Sequence, residues 1–140
     1  IAHTHSTYAT AWSQSGHDIP VLGTTHADHF NGFIPCTRQL TEEEVGGEYE
    51  LNLGKVIARM FKNRNPLEMA AVLAAGHGPF TWGKNAAAAV ENSVILEELA
   101  KMAAITITLD ASSPLLPDYM LKKHYTRKYG PSSYFYQEKP

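Results

Sequence analysis

The stretch MAAVLAAGHGPF, residues 69–80, constrains this chain more than any other. Its centre is apolar without interruption, and Gly76, His77, Gly78 and Pro79 then break it. A short apolar run closed by turn residues reads as a buried strand feeding a tight turn. His77 is therefore expected at a strand end, emerging from the core. The wall for that strand is expected at Asn85 to Ala104, where Ala86, Ala89, Val90, Ser93, Val94, Leu96, Glu97 and Met102 sort into a wide apolar side and a polar side of a helix. Ile105 to Leu109 is rich in β-branched residues, and its type stays open.

The 140 residues suffice for one domain with a real core. Twelve basic against fourteen acidic side chains leave a formal charge of −2, which provides no field to draw the chain to nucleic acid or anionic lipid. The single cysteine, Cys36, allows no internal disulfide, no N-x-[ST] acceptor is present, and no apolar run approaches the length of a spanning helix. These features predict a cytoplasmic protein. The start at Ile1 without Met leaves open that the chain is part of a larger protein.

Ile1 and Ala2 read as the end of a strand, which would put His3 and His5 on one face. Ser6 is expected to cap a helix that runs to about Ser15 and stops at Gly16. Val21 and Leu22 suggest a short strand before the polar turn GTTHADHFNG. Thr41 and three glutamates predict a short helix interrupted by Gly46 and Gly47, and Lys55 to Phe61 a firmer one. The basic amphipathic segment DYMLKKHYTRKYG ends at Gly130. Residues 131–140 form an aromatic tail expected to pack against another subunit.

A His-x-His pair alone is weak evidence for a metal. Here both rings follow apolar residues, and a third, His77, ends a second apolar strand. Three imidazoles leave one position of a tetrahedral ion for water or substrate, the pattern of a catalytic divalent metal such as zinc. Asp28, in TTHADHF, is a turn residue or a carboxylate projecting into the site, and Thr24 and Thr25 offer hydroxyls. His26 and His29 read as structural, His17 as a surface turn residue, Arg38 as an ion-pair partner, and Trp12 and Trp82 as core. His124 lies in the basic helix. No phosphate loop is present. On residues alone, a metal-dependent enzyme competes with a metal-stabilised structural domain.

The segments HTHS, GTTHADHFNGFIPCTRQL, GGEYE, GHGPFTWGKNAAAAVENSVILEELA and KHYTRKYG together resemble the L-ribulose-5-phosphate 4-epimerases of the class II aldolase/adducin family, over essentially the whole chain. The resemblance implies a three-layer α/β/α fold around a central, mainly antiparallel sheet. It also implies a homotetramer with sites between subunits and a sugar-phosphate substrate. By the same resemblance His3, His5 and His77 ligate Zn2+ or another divalent ion, Thr24 lies beside the substrate, and Asp28 is a catalytic acid/base. His124 matches a histidine from the neighbouring subunit, assisting a tyrosine on the opposite face. Phe135 stands where that tyrosine is expected, so Tyr136, or next Tyr134, is its replacement. The implied reaction breaks the C3–C4 bond by retro-aldol cleavage and re-forms it with C4 inverted. Residues 1–140 would then be the C-terminal portion of the domain, with the phosphate-binding residues upstream of Ile1.

Overall fold

The computed structural model describes residues 1–131 and 133. In chain order its elements are β1 (Ala2–His3), α1 (Thr7–Ser15), α2 (Thr24–Ala27), α3 (Glu42–Gly46), α4 (Tyr49–Met60), β2 (Ala71–Ala74), β3 (Gly78–Thr81), α5 (Ala86–Leu109) and α6 (Asp118–Tyr129). The apolar run of residues 69–80 supplies two strands rather than one. The chain reverses at Ala75–His77, with Gly76 at φ 70°, and β3 returns antiparallel to β2. β1 pairs antiparallel with the other edge of β3, giving the order β1-β3-β2.

Alternation along β3 separates the two faces of this sheet. Thr81 points to α5, where its hydroxyl donates to the Ala89 carbonyl at 2.9 Å. Phe80 points the other way, toward a groove shared with Leu53 and Ile57 of α4. Helices thus cover both faces, in agreement with the expected α/β/α arrangement. The main core lies on the α1 and α5 side, where Ala9, Leu73, Leu96, Leu99 and Ala100 are buried together.

Several elements depart from expectation, for identifiable reasons. Ser6 precedes α1 but makes no side-chain cap. Instead the Glu97 carboxylate, from α5, accepts from the backbone N–H groups of Tyr8 (2.8 Å) and Ala9 (2.9 Å). A negative group there satisfies free N–H donors and complements the helix dipole. Val21 and Leu22 form no strand. Pro20 has no N–H to offer, and the Val21 carbonyl accepts from Leu116 at 2.8 Å. The turn GTTHADHFNG contains α2. α4 starts six residues before Lys55, and the Asn52 side chain ties it to the Glu44 carbonyl of α3. Residues 105–109 continue α5, with the Thr106 and Thr108 hydroxyls donating to the carbonyls one turn back. No described helix is long and apolar enough to cross a membrane.

Candidate metal centre

β1 and the turn between β2 and β3 bring three imidazoles to one end of the sheet. His3 lies opposite Phe80, its ring stacked on the phenyl with centroids 4.1 Å apart. His5, two residues on, returns to the same side, and His77 arrives from the turn. His3 Nε2 is 3.1 Å from His5 Nε2 and 3.0 Å from His77 Nε2, and one nitrogen from each ring falls within 4.8 Å of the others. Nitrogens about 2.0–2.1 Å from a tetrahedral ion lie roughly 3.3 Å apart, so this donor set fits such an ion with little adjustment.

The remaining nitrogens and the backbone support that fit. His3 Nδ1 is 2.9 Å from the Pro79 carbonyl, which can accept only from an N–H, so the Nε2 lone pair is left facing the cluster. Burial, then the neighbouring His3 and His5, hold the His77 pKa below its usual value, which favours the neutral, ligating form. Gly78 permits the close approach of the two strands. A Cβ there would stand 2.9 Å from the Thr4 carbonyl oxygen and 3.1 Å from His5 Cδ2. Beside the cluster runs a groove of 550 Å³, lined by His3, Tyr49, Leu53, Ile57, Phe80 and Trp82 among others.

Asp28 follows α2 and faces α6. Its Oδ1 accepts from His124 Nδ1 at 3.0 Å, and Arg127 Nη2 reaches both oxygens, at 3.0 and 2.9 Å. Burial raises the pKa of this carboxyl, but hydrogen bonds from His124 and Arg127, with the Arg127 charge, outweigh it and bring the value below the ordinary one. Asp28 and His124 therefore form one hydrogen-bonded unit within a single chain. Thr24 opens α2 one turn earlier, its carbonyl accepting from the Asp28 N–H.

The other singled-out residues lie outside the imidazole cluster. His26 is buried, donates Nε2–H to the Gly32 carbonyl at 2.9 Å, and is pushed down to about 4 chiefly by burial. His29 is half-buried and His17 is exposed. Arg38 pairs with Glu44 at 2.7 Å. Trp12 packs on the core and donates to the Ala100 carbonyl, whereas Trp82 lines the groove against Phe61. Tyr134, Phe135 and Tyr136 lie outside the described residues. Sequence reasoning assigned no role to Arg127 or Tyr49. Arg127 stands three residues after His124, a spacing that shares a helix face and could have flagged it. Tyr49, whose hydroxyl lies 2.8 Å from His77 Nδ1, stands in the GGEYE segment that contributed to the resemblance.

Comparison with known proteins gives concordant results. Residues 1–104 match the family model described as the class II aldolase and adducin N-terminal domain. The chain is 53% identical over 138 residues to an L-ribulose-5-phosphate 4-epimerase, UlaF, of Salmonella paratyphi C, and equally so to that of Salmonella choleraesuis. These alignments cover 99% of this chain but 60% of each relative, so the chain spans well under the full length of those proteins. Among solved structures, an L-fuculose 1-phosphate aldolase superposes with a TM-score of 0.68 at 20% identity, over 91% of this chain and 54% of that one. YgbL from Klebsiella pneumoniae gives 0.56 at 23%, over 86% and 54%.

Proposed function

From the premise that this chain belongs to the class II aldolase and adducin family, we propose that it carries the metal centre of a cytoplasmic pentulose 5-phosphate 4-epimerase interconverting L-ribulose 5-phosphate and D-xylulose 5-phosphate. The observation that carries this reading is the 53% identity, across nearly the whole chain, to proteins named for that reaction. The three converging imidazoles are the donor set such chemistry needs.

His3, His5 and His77 would hold Zn2+. A divalent ion in that position supplies stabilisation of negative charge developing on a sugar enediolate. Asp28, kept ionised by His124 and Arg127, takes the proton from the C4 hydroxyl as the C3–C4 bond breaks. The bonding electron pair passes into the enediolate of dihydroxyacetone, and C4 leaves as the aldehyde carbon of glycolaldehyde phosphate. His124 Nδ1–H stays within hydrogen-bond reach and holds the protonated carboxyl in place. Once the aldehyde has rotated, re-addition on its other face inverts C4, and Tyr136 is assigned the proton returned there. Thr24 contacts the substrate. The Asp28–His124–Arg127 unit serves the imidazole cluster of a neighbouring subunit in a homotetramer.

The test is incubation of the complete polypeptide, loaded with zinc, with L-ribulose 5-phosphate, followed by carbon NMR. D-xylulose 5-phosphate without free fragments supports the reading. Accumulated dihydroxyacetone and glycolaldehyde phosphate would show an aldolase instead, and no turnover would leave a metal-binding module.

A further inference from the structure

We propose that Tyr49 is the positioning residue of the metal centre, fixing the ring of His77 by accepting its Nδ1–H at the phenolic oxygen. This deepens the metal reading and rests on it. An imidazole that ligates through Nε2 must carry hydrogen on Nδ1, and the partner of that hydrogen sets the tautomer and the ring plane. For His3 the partner is the Pro79 carbonyl, supplied by the same sheet that holds its backbone. His77 has no comparable local support, because it lies in the reversal between Gly76 and Gly78, outside both strands.

Its anchor comes from a different element. Tyr49 Oη lies 2.8 Å from His77 Nδ1. The two rings are inclined by only 17° with centroids 6.3 Å apart. That separation is too long for face-to-face stacking and matches an end-on contact in the imidazole plane, where the Nδ1–H points. Tyr49 is itself well placed to be rigid. It opens α4, whose first turn is tied to α3 by the Asn52 side chain, while Leu53 and Val56 of the same helix are buried. A phenol is a neutral acceptor, so it orients the ring without adding charge to a cluster of three neutral ligands. Its ring also forms part of the groove wall, so the same residue joins the ligand's orientation to the shape of the adjoining space.

The experiment compares the wild-type chain with Tyr49→Phe, which removes the oxygen and keeps the ring. Zinc affinity is measured by competition with a chromogenic chelator, Co2+ gives a ligand-field spectrum, and proton NMR of the zinc-loaded chain reads the imidazole N–H signals. The expected result is a folded variant that binds zinc about 10–100-fold more weakly. Its Co2+ bands should be altered, and the His77 Nδ1–H signal should be lost to exchange while that of His3 persists. Zinc affinity within twofold of wild type overturns the proposal. So does weaker binding with the His77 signal intact, because the loss would then come from groove packing. Should the variant not fold, a cross-relaxation peak between His77 Nδ1–H and the Tyr49 ring in zinc-loaded wild type decides in favour, and its absence against. A wild-type chain that binds neither metal overturns the metal reading and this proposal together.

Discussion

Three residues allow sharp tests because their surroundings are so specific. Gly78 sits where a methyl group would press on the Thr4 carbonyl and the His5 ring. Gly78→Ala should therefore displace the His-x-His segment and weaken zinc binding at least tenfold, read by chelator competition, with far-UV circular dichroism little changed. Asp28 touches none of the three imidazoles in the hydrogen-bond network, its partners being His124 and Arg127. Asp28→Asn in the complete polypeptide should abolish epimerisation and keep wild-type zinc content; loss of the metal would refute its assignment as an acid/base. His26 gives a pH prediction. Its folded pKa of about 4 lies below the unfolded value of about 6.5, so the unfolded chain binds the extra proton between those pH values. Its contribution is full above pH 6.5 and is lost as pH falls toward 4, by about 3 kcal/mol at most. Urea titrations of wild type and His26→Gln should show the slope in this window largely removed in the variant.

At the level of elements, α1 depends on a partner from far along the chain. Glu97→Ala leaves the Tyr8 and Ala9 N–H groups without their carboxylate and should cost about 1–2 kcal/mol in denaturant unfolding, as lost helix caps do. Ser6→Ala should cost much less, since its side chain makes no cap. The same contrast shows what the sequence could and could not reveal. Local signals located α1 through Gly16, α3 through Thr41 and its glutamates, and α6 between Pro117 and Gly130, because caps and breakers act within a turn or two. Periodicity located α5 but not its last five residues, whose β-branched side chains weaken the helical signal and whose threonine hydroxyls donate to carbonyls one turn back. The second strand of GHGPF and the early start of α4 escaped notice because tertiary pairing, with β2 and with Asn52 and His77, determines them. The three imidazoles were legible because each follows or ends an apolar segment. Tyr49 and the Asp28 clamp were not, since their partners are separated by 28 and by 96 or more residues.

For the molecule as a whole, the sheet end and the α2–α6 contact divide the chemistry into two preassembled parts. One holds the three imidazoles that could ligate a metal and the other the Asp28 carboxylate with its two donors. The proposed homotetramer would bring these parts together from different subunits, so dilution below the assembly's dissociation constant should abolish epimerisation without releasing metal. The exposed Val90, Val94, Ile105 and Leu109 along α5 are apolar surface available to such contacts. All of this presupposes that the imidazole cluster binds an ion. The most direct measurement is the metal content of the purified chain after equilibration with limiting Zn2+ and gel filtration, for wild type and His77→Ala. The predicted result is one zinc per wild-type chain and none in the variant; a zinc-free wild type, or equal zinc in both, would contradict the account.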